Sequence, residues 1–248
     1  MSFFKNIFST KETLPPIELS IIGTDVHSHL IPGIDDGAKT VDESIEMLKK
    51  MRELGFRKVI TTPHIMSDFY KNTPDIILSG LKKLRKVAQE NKLDIEIKAA
   101  AEYYLDYEVD AKIGKEKLLT FGNNYLLFEQ SFVAETPNLN NSIFEMITNG
   151  YTPVLAHVER YIYWHQNYAK YEELKTRGVL FQLNINSLSG YYGPGIKKIA
   201  EKLVTDDMID FIGTDAHQLE QLEQVDYLLT NPYLHQLVNK ENLLNKTL

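Results

Sequence analysis

The sequence predicts an α/β protein whose parallel strands close into a barrel. From Ile21 onward, short β-branched or apolar runs alternate with longer segments of helical periodicity. No Ser/Gly-rich linker divides the 248 residues, a length that suits one barrel. Histidines and carboxylates fall at the C-terminal ends of many of the apolar runs, where a barrel gathers its reactive groups. An open doubly wound sheet is the alternative architecture, and that distribution of reactive residues favours the barrel.

The expected strands are 20–26, 57–62, 94–101, 124–130, 152–157, 179–185 and 209–214. Between them the expected helices are 41–54, closed by Gly55; 73–91, with Thr73 as N-cap and Pro74 at the first position; 139–149; 167–177; 195–206; and 219–230. The stretch 103–118 carries no clear period. Residues 1–19 read as an N-terminal arm ended by Pro15 and Pro16, and 20–248 as a single catalytic domain. Phe3, Phe4, Ile7 and Phe8 are expected to form one face of a short helix in that arm, which favours packing on the chain's own domain over touching a membrane or partner.

Composition narrows the function. An apolar share of 43% and a charged share of 25% exclude bulk disorder. A net charge of -7 disfavours nucleic acid as a partner, because phosphates would be repelled. KKLRK (82–86) lies within a helical segment and reads as a solvated face. With no cysteine, disulfides, thiolate metal sites and a thiol nucleophile are excluded. No apolar run approaches a membrane span and the N-terminus lacks a signal-peptide pattern, so a cytoplasmic location is expected.

The chemistry lies at the strand ends. TDVHSHL places His27 and His29 two residues apart, on one face of extended chain, where both imidazoles can address one cation. IPGIDDG follows, with Asp35 and Asp36 in a glycine-bracketed loop. TTPH ends at His64, AAAE at Glu102, LLFE at Glu129, VLAH at His157, and GTDAH supplies Asp215 and His217. Each alone is an ordinary polar residue closing a strand. Together they occupy six of seven strand ends and use five of seven histidines, which points to a multinuclear metal centre. Imidazole and carboxylate without sulfur suit manganese, iron or zinc, and Glu102 is a natural bridge between two cations. Two or three such ions acidify water and neutralise phosphoryl oxygens, which fits phosphomonoester hydrolysis. Arg160, three residues past His157, has the shape to hold two phosphoryl oxygens; a surface salt bridge with Glu159 is its plain alternative.

TDVHSHLIPGIDDG, TTPH, the glutamate after AAA, LAHVER and GTDAH together resemble the PHP (polymerase and histidinol phosphatase) superfamily, over about residues 21–220. Within it they resemble the bacterial manganese-dependent protein-tyrosine phosphatases of capsule and exopolysaccharide operons. The PG-x-DDG loop is the most discriminating piece and HVER the second. The resemblance implies a distorted (β/α)7 TIM-like barrel with a trinuclear site. It implies His27, His29, Asp36, His64, Glu102, Glu129, His157, Asp215 and His217 as ligands, and Arg160 as the phosphate-binding residue.

It further implies hydrolysis of phosphotyrosine by direct attack of a metal-bound hydroxide, with two or three divalent ions, manganese foremost and iron or zinc as alternatives. The protein substrate, a tyrosine kinase of polysaccharide export, follows from the likeness alone. The chain departs from the family in one place: TDAHQLEQLEQ carries no arginine after the final histidine, and no basic residue comes before Lys240. Lys197 or Lys198 could replace it, although both begin a helical segment and read as solvated. Tyr191 and Tyr192, in a Gly-rich loop after the sixth strand, are candidates to stack on a substrate ring, and YIYWHQNY (161–168) is either pocket wall or packing. Competing functions are a small-molecule phosphatase of histidinol-phosphate type, a PHP nuclease that the negative charge disfavours, and a non-catalytic metal-binding regulatory module.

Overall fold

The computed structural model describes residues 14–248, so the apolar face expected from Phe3, Phe4, Ile7 and Phe8 lies outside the described residues. Every strand pairing in the structure is parallel. Strands β1 (Thr24–Asp25), β2 (Lys58–Thr61) and β4 (Glu96–Ala99) form one sheet. A second sheet runs in the order β3 (His64–Ile65), β5 (Glu102–Tyr104), β6 (Tyr125–Glu129), β7 (Thr152–Leu155), β8 (Leu180–Asn184) and β9 (Phe211–Gly213).

The two sheets are successive stretches of one curled surface. Pro63 divides the expected strand 57–62 from His64: it has no N–H for the ladder, but its carbonyl still accepts from Glu102 N–H at 3.2 Å. The neighbouring run therefore also splits, into β4 and β5. At the far edge Ser28 forms a parallel bridge with Ala216, and Asp215 N–H donates to the His27 carbonyl at 2.7 Å, bringing the chain after β9 beside the chain after β1.

One expected strand begins later than the sequence suggested. Leu19–Ile21 is a turn of 3-10 helix, and the chain enters β1 only after Gly23, whose φ of 68° suits glycine. Leu19 is fully buried and Ile17 N–H donates to the Leu229 carbonyl at 2.8 Å, so residues 17–19 pack on the body.

The helices follow their start signals. Thr40 caps α1 (Val41–Glu53) by accepting from Glu43 N–H, and Thr73 caps α2 (Pro74–Glu90) by accepting from Ile76 N–H. The unclear stretch 103–118 contains α3 (Tyr107–Lys112), capped by Asp106. Then come α4 (Leu139–Thr148), α5 (Ala169–Thr176), α6 (Pro194–Thr205) and α7 (Leu219–Asp226). A further helix, α8 (Pro232–Asn239), was not expected, yet it carries an ordinary signal: Asn231 accepts from the Tyr233 and Leu234 N–H groups, and Pro232 opens it.

Most strands are buried on both faces, whereas β4 alternates, with Glu96 and Lys98 exposed and Ile97 buried. Val26, Ile60, Ala100, Leu127, Val154, Ala156 and Phe211 form an inner cluster, while neighbours such as Val59, Leu126, Phe128 and Leu155 face the helices in the larger outer core. That double burial fixes the register of each strand end. No described helix is long and apolar enough to cross a membrane.

Candidate metal centre

At the C-terminal ends of these strands the candidate ligands converge. Donor atoms of His27, His29, Glu102 and Asp215 lie within 4.8 Å of one another, as do those of His29, Asp36, His64 and His217, and those of His64, Glu102 and Glu129. Glu102, His29 and His64 each belong to two groups. His157 adjoins the last group, its Nε2 3.0 Å from Glu102 Oε1 and 3.6 Å from Glu129 Oε2. The structure therefore links all nine sequence candidates in one cluster, with Glu102, His29 and His64 at the joins between groups.

The backbone is bent to achieve this. His157 and Asp215 have φ of 32° and 49°, a left-handed conformation that costs a residue with a Cβ and concentrates at functional sites. Gly37 and Gly213 leave room: a Cβ on Gly37 would lie 2.4 Å from His29 Cβ, and one on Gly213 would lie 2.7 Å from His27 Cβ.

Two residues outside the predicted set fix the imidazoles. Gln182 Oε1 accepts His157 N–H at 2.8 Å, while its Nε2 donates to the Leu183 carbonyl, so the amide orientation is determined. His27 Nδ1, 3.0 Å from that same oxygen, must be the donor. Asp35 Oδ2 lies 2.9 Å from His29 Nδ1 and accepts its proton. Both rings thus turn Nε2 toward Glu102 and toward each other, with the two nitrogens 3.3 Å apart. This is the arrangement by which an outer partner orients a ligating histidine.

The donor set fits divalent cations. Glu102 Oε2 and His64 Nδ1 are buried with no hydrogen-bond partner, although they lie 3.2 Å apart. Fully buried Glu102, with Asp215 almost as deep, would be costly as a carboxylate without compensating positive charge. Protons can supply that charge. Burial opposes ionisation of His27, yet Glu102 and Asp215 outweigh it and push the ring up to about 9. Burial likewise opposes ionisation of Glu102 and Asp215, and His27 leads the groups that hold both well below the usual carboxylate range. A divalent ion bound at these atoms competes with protons for the same lone pairs.

The two aspartates of the DDG loop have different roles. Asp36 Oδ1 lies 3.5 Å from both His64 and His217 Nε2 atoms, within a ligand group. Asp35 instead supports His29, and its oxygens also accept from Gly37 N–H and His64 N–H.

Arg160 borders the centre. Its Nη1 donates to Asp215 Oδ2 at 3.0 Å, so its ionic partner is Asp215 and not Glu159. Glu159 is buried beneath it, accepting from Asn184 N–H and the Ser187 hydroxyl. The guanidinium lies between two aromatic rings, 4.5 Å from the centroid of Phe132 and 4.4 Å from that of Tyr192. Tyr192 is held by Asn184, which also donates to Asp215. Tyr191 stands edge-on to Tyr192 and is half exposed. Lys197 faces Glu201 on α6 and Lys198 is exposed, so neither accompanies Arg160. Sequence reasoning missed Gln182, Asn184 and Phe132; only the polar pair at i and i+2 in FQLN was a usable signal.

The comparisons agree with this geometry. Tyrosine-protein phosphatase YwqE of Bacillus subtilis is 29% identical over 197 residues, covering 79% of this chain and 78% of that protein. Tyrosine-protein phosphatase CpsB of Streptococcus pneumoniae is 27% identical over 202 residues, covering 79% and 83%. Among solved structures, a chain from the work on B. subtilis YwqE and S. pneumoniae CpsB, described as unique metal-dependent tyrosine phosphatases, superposes with a TM-score of 0.78 at 25% identity, covering 90% of this chain and 94% of that one. A histidinol phosphate phosphatase from Lactococcus lactis shares the fold, with a TM-score of 0.53 at 14% identity over 84% and 92%. The pattern for "Capsular polysaccharide synthesis, CpsB/CapC" matches residues 23–225, which span every candidate ligand, and the chain belongs to that family.

Proposed function

We propose that this chain is a metal-dependent protein-tyrosine phosphatase acting on phosphotyrosine in proteins, foremost a tyrosine kinase of polysaccharide export. The observation that carries the reading is the convergence of His27, His29, Asp36, His64, Glu102, Glu129, His157, Asp215 and His217 in one cluster with Arg160 at its edge. The names of the relatives and the 0.78 TM-score support it. The curled parallel sheet is read as a distorted (β/α)7 barrel, with 20–248 as one catalytic domain and 1–19 as its arm. A cytoplasmic location accords with phosphoprotein chemistry.

The nine His, Asp and Glu side chains would hold two or three divalent ions, manganese foremost, which would supply Lewis acidity to neutralise phosphoryl oxygens and acidify water. The chain supplies the rest. Gln182 and Asp35 hold His27 and His29 in the tautomer that offers Nε2. Arg160, already charged because Asp215 outweighs the effect of burial, presents donors for phosphoryl oxygens. Phe132 and Tyr192 hold the planar guanidinium between their rings and fix its orientation. Tyr191 and Tyr192 flank the path by which an aromatic ester enters. A tyrosinate leaving group, with a pKa near 10, needs less help from a proton donor than an alkoxide does. Elemental analysis after metal-replete expression should find about two to three transition-metal ions per chain, with activity lost on chelation. Absence of metal with activity intact contradicts the reading.

A further inference from the structure

A cavity of about 560 Å³ opens beside the metal centre, between the start of α3 and the loop after β6. Its walls continue the strands that carry two candidate ligands. Tyr104 and Asp106 follow Glu102, while Ser131 and Val133 follow Glu129, and Leu105 N–H donates to the Glu129 carbonyl at 2.8 Å. Between cavity and centre stands Phe132, its ring 5.2 Å from that of His157 and against Arg160.

The loop wall is built in advance. Tyr161 accepts from Gln130 N–H, Tyr163 donates to the Ser131 carbonyl at 2.9 Å, and Trp164 Nε1–H donates to Glu135 Oε2 at 2.7 Å. Gln130 Oε1 also accepts from Thr136 N–H. The aromatic run 161–168 thus pins the loop, and a pinned loop loses little entropy when a ligand arrives.

The surface so formed is apolar at its lip and acidic within. Val133 and Tyr107 are 89% and 87% exposed. Asp106, Asp110 and Glu135 line the cavity, and no lysine or arginine does among the described residues. Lys170 neutralises Glu135 at 3.1 Å, whereas Asp106 and Asp110 bond only N–H and hydroxyl groups. Opposite charge is what such a surface selects in a partner.

We propose that this groove holds the polypeptide flanking the phosphotyrosine, taking a lysine or arginine side chain against Asp110 and Asp106 and an apolar side chain against Val133 and Tyr107. The inference rests on the phosphotyrosine reading and adds a sequence preference to it.

The test uses the full metal-loaded chain and three substrates: a small aryl phosphate, a phosphotyrosine peptide flanked by lysine and leucine, and its counterpart flanked by glutamate and leucine. The lysine peptide should exceed the glutamate peptide in kcat/KM by about fivefold or more, the scale of one or two exposed charge contacts. Asp110→Asn, which keeps an acceptor for Ser142, should remove most of that preference. Val133→Ser, at an open surface position, should lower kcat/KM on both peptides relative to the aryl phosphate. Equal rates on the two peptides, or a preference that survives Asp110→Asn, overturn the groove. Failure to turn over any of the three overturns the phosphatase reading instead.

Discussion

Arg160 and Asp215 share an ion pair in which Nη1 donates to Oδ2 at 3.0 Å, while the other oxygen of that carboxylate, Oδ1, lies 3.3 Å from His27 Nε2. The carboxylate divides its two oxygens between a guanidinium and a ligand cluster. It thereby anchors the Arg160 guanidinium to the candidate metal centre.

Arg160→Ala should therefore leave metal content normal while lowering turnover. The loss should be about 10²-fold or more, near 2.7 kcal/mol, the size of one charge-stabilising donor in a dry site. Lysine should rescue only in part, because a point charge cannot reproduce a planar fork. No lysine or arginine occurs between His217 and Lys240 to share the task. Near wild-type turnover with full metal would return Arg160 to a structural ion pair.

Glu102→Gln keeps the shape of the one carboxylate shared by two ligand groups among the described residues but removes its charge. Metal stoichiometry and kcat should fall together. Elemental analysis and rates unchanged from wild type would place the bridge elsewhere.

Gln182→Leu should weaken metal binding by about 10- to 100-fold, since it frees the His27 ring and leaves His157 N–H unpaired in a left-handed turn. Gln182→Glu, which still offers an acceptor, should retain more affinity. Metal titration with a competing chelator reads both, and equal affinity in all three proteins would deny Gln182 this role.

Proton linkage sets the pH dependence. His27 has an ordinary value of 6.5 and a folded value of about 9. Its contribution to stability is complete below about 6.5 and is lost as pH rises through 9. Burial raises Asp25 from 3.8 to about 7, so its contribution is likewise lost as pH rises, through 7. Glu102 and Asp215 act oppositely: their contribution is present above the ordinary carboxylate range and is lost as pH falls through their lowered values. Chelator-treated protein should lose thermal stability between about pH 6.5 and 9, and apparent Mn²⁺ affinity should rise as pH approaches 9 and protons leave the ligands. Calorimetry showing no proton release on binding would contradict this.

Much of this was legible in the sequence because strand ends announce themselves. An apolar run that stops at a histidine or carboxylate needs no tertiary knowledge to be noticed, and period-2 geometry places His27 and His29 together. The residue pattern alone did not separate Asp35 from Asp36, because adjacent loop residues have no fixed face, and only the family resemblance singled out Asp36; the fold gives Asp35 to a ring proton and Asp36 to the ligand cluster. Arg160 and Asp215 are 55 residues apart, and no local pattern encodes their pairing. Gln182 was hidden for the opposite reason: a glutamine in a buried strand matters only through the two groups that share its oxygen. The break at Pro63 was marked by proline itself, but the matching break between β4 and β5 is inherited from its neighbour.

The central claim is that this centre hydrolyses phosphotyrosine. The most direct measurement compares turnover of a phosphotyrosine peptide, histidinol phosphate and single-stranded DNA on one manganese-loaded preparation, with a chelated aliquot beside it. The account predicts metal-dependent release of phosphate from the peptide and little from the other two. Preferential cleavage of histidinol phosphate or DNA, or no turnover of any substrate by fully metallated protein, would contradict it.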